Sequence, residues 1–169
     1  LLLMFPKCND ARLYAGLLAD QNSLVHDFVA RQKIGGTHLK YHVKKQVTVL
    51  PPEAYTESDL NYIAPRVLEL TYTSHDLAPW AADLGYNGEP FGFDPERRAQ
   101  IRAELDAYYA KLYGLTRDEL RYILDPADTH GEDYPTETFR GLKNKEIKNY
   151  GEYRTQRLVL EAWESLNNT

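Results

Sequence analysis

The sequence predicts a mainly α-helical protein, with a short α/β piece at its N-terminal end followed by an all-helical domain. Three observations carry this expectation. From Thr56 onward one capped helical pattern follows another, and no run alternates as a strand does. Before that point, Val47-Thr48-Val49-Leu50 is apolar and rich in β-branched residues, and it stops at Pro51-Pro52, which is the pattern of a short strand. Leu1–Phe5 is a second apolar run, ended by Pro6, that reads as a buried strand. With 43% of its 169 residues apolar the chain has enough material for a packed core, and its interspersed charges exclude global disorder.

Taken in order, Asp10–Ala19 places Leu13, Leu17 and Leu18 at helical spacing with Asp10 as cap. A second helix runs from Asn22 to about Lys33, with Asn22 or Ser23 as cap and Leu24, Val25, Phe28 and Val29 on one face. Gly35-Gly36 ends it, because glycine accepts the left-handed backbone of a helix terminus. His38–Lys45 fits either a short helix or a strand. Beyond Pro51-Pro52, Ser58-Asp59 opens a helix to about Thr71 in which Pro65 predicts a kink or a break. Asp76–Leu84 is a short helix closed by Gly85, and the loop Gly85–Phe93 folds back over the core.

Asp94-Pro95 starts a helix through Tyr113 whose buried stripe is Ile101, Leu105, Tyr108, Tyr109 and Leu112. Thr116 and Glu119 form a capping box for a helix ending near Leu124. Asp125–Pro135 reads as a loop. A helix to about Tyr150 follows, then a last one from about Tyr153 to Leu166. The expected division is residues 1–52 and 53–169.

Cys8 is the only cysteine, so no internal disulfide and no cysteine-built zinc site exists, and a reducing, cytoplasmic setting fits. Leu1–Phe5 is too short for a signal peptide or a membrane helix, and no membrane partner is expected. A chain opening on three leucines without an initiator Met reads as a fragment of something longer.

The chemistry of the chain is decided largely by absence. It has no phosphate loop of the GxxxxGK[ST] kind, no GxGxxG, no HExxH and no GxSxG elbow, and no catalytic residue is assigned. Glu146-Ile147-Lys148 fits half of a nuclease metal site, but no Pro-Asp pair supplies the other half. His38 and His42 lack a third ligand nearby. Asp128, His130, Glu132 and Asp133 read as a solvated acidic loop, so no metal is expected. The tyrosines at 108, 109, 113, 122 and 134 fall in helical patterns that suit packing rather than base stacking. The basic residues Arg140, Lys143, Lys145, Lys148, Arg154 and Arg157 make short stripes of the kind common on solvated helices.

One stretch breaks the overall charge of −5. From Arg31 to Thr48 there are five Lys or Arg residues and no Asp or Glu. Arg31, Lys33, Lys40, Lys44 and Lys45 are of the type that neutralises phosphates, and amides at Gly35 and Gly36 can approach an anion closely. Gln32, Thr37 and His38 are of types that reach base edges. DNA is therefore the expected partner of this segment. The bland alternative is that Arg31 and Lys33 only complement the C-terminal dipole of their helix.

The run NSLVHDFVARQKIGGTHL, Asn22 to Leu39, resembles a segment of the Eco57I-like adenine-specific DNA methyltransferases. These are restriction–modification methylases, including fused type IIG enzymes and phage-defence relatives. Asn22-Ser23, Asp27, Arg31-Gln32-Lys33 and Gly35-Gly36-Thr37-His38-Leu39 carry the likeness, and Gln46 with Pro51-Pro52 continues it. Val47-Thr48 departs from the Leu-Pro common in the family. Arg66–Thr73, Tyr108–Pro126, Gly131–Phe139 and Tyr150–Arg154 are similar to later parts of the same proteins. The resemblance implies a C-terminal portion lying after the catalytic domain: the end of a target-recognition domain in residues 1–52, then a helical domain. It implies a parent that methylates adenine N6 from S-adenosylmethionine, with or without endonuclease activity. The (N/D)PP(Y/F) motif and cofactor loop of that chemistry are not in this sequence, so no cofactor is expected here. Its expected partners are DNA and the upstream methyltransferase domain. A helical structural or protein-interaction module without DNA contact is the alternative.

Overall fold

Most helix starts lie where a side chain stands ready to take up the orphan amides of a first turn. The computed structural model describes residues 7, 9–34, 40–134 and 137–168. Asp10 caps α1 (Ala11–Asn22) by accepting from the Arg12 amide, and Ser23 caps α2 (Leu24–Lys33) by accepting from that of His26. α3 is a single turn, Tyr41–Lys44, which settles the helix-or-strand ambiguity of that segment. Thr56 and Asp59 form a reciprocal capping box for α4 (Glu57–Thr71), which continues through Pro65 without a break. A 3-10 turn, His75–Leu77, leads into α5 (Ala78–Asp83).

Asp94 accepts from the amides of Glu96 and Arg97 to start α6 (Pro95–Leu112). Thr116 and Glu119 box the start of α7 (Arg117–Leu124). Asp125-Pro126 then opens a short helix α8 (Pro126–His130), where the sequence reading placed only a loop. α9 (Arg140–Tyr150) ends on Gly151 at φ +76°, a left-handed position that suits glycine, and α10 (Arg154–Asn167) closes the fold. No helix among the described residues is long and apolar enough to cross a membrane.

The protein is thus mainly α, and the expected short α/β piece is not shown. Among the described residues there is no strand. Leu1–Phe5 and the turn residues Gly35, Gly36, Thr37, His38 and Leu39 lie outside them. Val47–Leu50 has the composition of a strand but no strand beside it among the described residues, and two of its backbone groups find side chains instead. The Leu50 amide donates to Asp20 Oδ2 at 2.8 Å, and the Thr48 carbonyl accepts from the Tyr113 hydroxyl at 3.4 Å.

α6 is the wedge around which the rest is placed, and it is apolar on two faces. Ile101, Leu105 and Tyr109 pack with Ala15 and Ala19 of α1 and with Ile63, Ala64 and Val67 of α4. On its other side Ala103, Ala107 and Ala110 pack with Val25 of α2, Leu120 and Leu124 of α7, and Leu158, Val159 and Ala162 of α10. Alanines there let α10 approach α6 closely. Helices on both sides of Pro51-Pro52 therefore share apolar clusters. A third small cluster (Leu68, Tyr72, Ala81) receives Tyr86 and Phe91 of the loop, which returns as expected: the Phe91 amide donates to the Tyr72 carbonyl at 2.9 Å.

Buried polar groups tie this wedge to the N-terminal helices. Tyr109, fully buried, donates to the Gly16 carbonyl at 2.6 Å, and its hydroxyl lies 3.3 Å from that of Tyr55. One turn later Tyr113 donates to Asp20, 2.8 Å from Oδ1 and 3.1 Å from Oδ2. Asp20 has no exposed surface, and burial raises its pKa against the hydrogen bonds from Leu50 and Tyr113. Asp20→Ala leaves the Leu50 amide unpaired and the Tyr113 hydroxyl with only the longer contact to the Thr48 carbonyl, and we expect a loss of about 2–4 kcal/mol in urea unfolding. Tyr113→Phe, which removes one donor and leaves the Leu50 contact, should cost about 1 kcal/mol in the same measurement.

Candidate nucleic-acid interface

The basic segment spans the last turn of α2, residues outside the description, and α3. Its cations are in three different situations. Arg31 is clasped by Asp27 one turn earlier, with Nε and Nη2 each 2.9 Å from a carboxylate oxygen, and its guanidinium carbon lies 5.6 Å from the Phe139 ring centroid. Lys44 donates to Gln21 Oε1 at 2.6 Å, and Lys45 sits over the Tyr41 ring, 4.4 Å from its centroid. Lys33 and Lys40 are exposed and have no ion pair among the described residues. Gln32 is exposed, with Nε2 3.5 Å from Thr138 Oγ1. Gly35, Gly36, Thr37 and His38, the remaining members of the expected site, are not among the described residues.

Ion pairing accounts for most of the C-terminal basic residues. Lys143 bridges Asp125 at 2.8 Å and Glu137 at 3.1 Å. Arg154 holds Glu96 through Nη2 at 2.7 Å, and Arg157 holds Glu152 and Glu161, each at 3.0 Å. Lys145 has no acid partner among the described residues. In the acidic loop, Asp128 is taken by Arg121 at 2.8 Å, and His130 packs between Tyr122 and Tyr134. Among the described residues no three His, Cys, Asp or Glu side chains converge as metal ligands.

Two carboxylates, Glu146 and Asp106, have duties that the sequence did not indicate. Glu146, the first residue of the nuclease-like triplet, accepts from the Thr155 amide at 2.7 Å and its hydroxyl at 2.6 Å, so it caps α10 from α9. Asp106 interrupts the apolar faces of α6 and accepts from the Leu24 amide, the first of α2, at 2.7 Å. A helix start favours such an anion. Burial nevertheless pushes Asp106 up to about 7, against the pull of the Leu24 amide and of Arg102. The signal available in the sequence was an Asp between Leu105 and Ala107 in a buried stripe, but nothing there showed which amide it would meet.

Comparison with protein-family models, with curated proteins and with solved structures found no match.

Asp106 makes stability depend on pH. Its folded pKa of about 7 lies above the ordinary 3.8, so in between the folded chain holds a proton that the unfolded chain has released. Stability should fall as pH rises from about 4 to about 7 and then level off. Asp106→Asn keeps an acceptor for the Leu24 amide and cannot ionise. It should flatten that slope and exceed the unsubstituted chain by roughly 2–4 kcal/mol at pH 8, at about 1.4 kcal/mol per pKa unit. Urea unfolding at a series of pH values checks this.

Proposed function

We propose that this chain is a non-catalytic part of an adenine-specific DNA methyltransferase of a restriction–modification or phage-defence system, and that it contacts DNA along the edge from Lys33 to Lys45. In this reading residues 1–52 end a target-recognition domain and 53–169 form the helical C-terminal domain. Methyl transfer from S-adenosylmethionine belongs to the upstream methyltransferase domain of the same enzyme, in the cytoplasm. The observation that supports it best is local charge. In a chain of net charge −5, the acid-free segment carries Lys33, Lys40 and Lys45 exposed along one stretch. Exposed lysines without carboxylate partners are what a phosphate backbone neutralises, with release of counterions.

A second reading is a helical scaffold that holds neighbouring domains and does not touch DNA. The Asp27 clasp on Arg31 and the Lys44–Gln21 bond favour it, because both remove cations from service.

Duplex binding by the full chain separates the two. We expect affinity to fall steeply between about 50 mM and about 200 mM salt. Changing Lys33, Lys40 and Lys45 together to Ala should weaken binding at least roughly tenfold and lower the salt slope by about three. Arg31→Ala should matter less than any of these. Absence of binding at low salt, from a chain with the expected helical circular dichroism, would establish the scaffold reading instead.

A further inference from the structure

At the start of α2, the opposite end from Lys33, a cleft of about 760 Å³ opens between α1, α2, α4, α6, α9 and α10. Its volume is that of a site for a small organic molecule. Two independent features of its lining point to the same kind of ligand.

The first is a set of cations that no carboxylate holds directly. Arg98 and Arg102, four apart on α6, face the cleft together with Lys145 of α9. None of the three has a carboxylate hydrogen-bonded or ion-paired to it among the described residues. Arg98 Nε is buried without a hydrogen-bond partner there, a state that ordinarily costs stability. The acids of the cleft do not serve these cations with hydrogen bonds: Asp106 accepts from the Leu24 amide and Glu146 from Thr155. Arg154, the fourth cation, is already held by Glu96.

The second feature is exposed apolar surface. Phe93 is 74% exposed, Tyr150 55% and Leu18 41%, and all three line this cleft. Arg98 lies over the Phe93 ring and Arg154 over the Tyr150 ring, each with its guanidinium carbon 5.1 Å from the centroid, and the part of each ring left open to water offers stacking surface next to anion donors. Inorganic phosphate alone would use only the donors, and a neutral ring only the apolar lining.

We infer that this cleft binds a small aromatic anion of the nucleoside monophosphate class, with its phosphate on Arg98, Arg102 and Lys145 and its ring against Phe93 or Tyr150. The phosphate gives Arg98 Nε the acceptor it lacks, and Arg suits a phosphate because two of its N–H groups can bond in parallel. This inference does not depend on the methyltransferase reading, and the site lies apart from the Lys33–Lys45 edge.

Calorimetric titration of the full chain with AMP, adenosine, inorganic phosphate and a short single-stranded oligonucleotide tests it. AMP should bind, with adenosine and inorganic phosphate each at least roughly tenfold weaker. Arg98→Gln with Arg102→Gln should lower AMP affinity roughly tenfold or more, and Phe93→Ala should lower it as well. Should the double variant fail to fold by circular dichroism, Lys145→Gln, on an exposed residue, supplies the same reading singly. Lys40→Ala should leave AMP binding unchanged. The inference is overturned by no AMP binding at about millimolar concentration. Binding indifferent to the cleft variants, phosphate binding as tight as AMP, binding lost in Lys40→Ala, or oligonucleotide binding without AMP binding would each overturn it too.

Discussion

The described residues up to Leu50 are held together by one buried carboxylate. Asp20 lies in the last turn of α1 and accepts from the Leu50 amide and from the Tyr113 hydroxyl just after α6. Beside it His26, also buried, has Nδ1 4.0 Å from Asp20 Oδ1, and burial lowers its pKa. An ionisable group without water is tolerated when its lone pairs are filled, and filling them here requires three parts of the chain to meet. That requirement sets where the basic segment can go, since it begins in α2 and ends at the residues Asp20 anchors.

α6 plays the complementary apolar part. Its large side chains face α1 and α4 and its alanines face α7 and α10, so the two clusters have different spacings across one helix. A helix apolar on two sides has to lie inside, and any polar residue on it then needs a partner from a neighbour. Tyr109 finds the Gly16 carbonyl and Asp106 finds the Leu24 amide. Both bonds reach back to the N-terminal helices and reinforce what Asp20 does.

The distribution of charge follows from the same economy of partners. Arg12, Arg66, Arg97, Arg121, Lys143, Arg154 and Arg157 each hold a carboxylate. Among the described residues, cations without an ion pair include Lys33, Lys40 and Lys45 of the basic segment and Arg98, Arg102 and Lys145 of the cleft. Only the first set was legible in the sequence. Arg31–Thr48 is contiguous, so its lack of acids is visible on the page, whereas Lys145 meets Arg98 and Arg102 across a gap of more than forty residues of chain. Within the legible segment, the sequence could not say that Arg31 would be clasped by Asp27 or Lys44 by Gln21.

What the amino-acid sequence determined by itself is the helical class and most helix starts. Asp10, Ser23, Thr56, Asp94 and Thr116 act on amides two or three residues away, so their effect is local. Asp125-Pro126 carries the same signal as Asp94-Pro95, and α8 was legible on that ground even though the loop composition around it hid it. The tertiary structure decided the fate of Val47–Leu50, whose β-branched residues suit a strand but have no strand beside them among the described residues. It also decided the partners of Asp20, Asp106 and Glu146 and the position of the cleft. Those depend on which distant amide, hydroxyl or guanidinium packing brings within hydrogen-bond reach, and no local pattern encodes that.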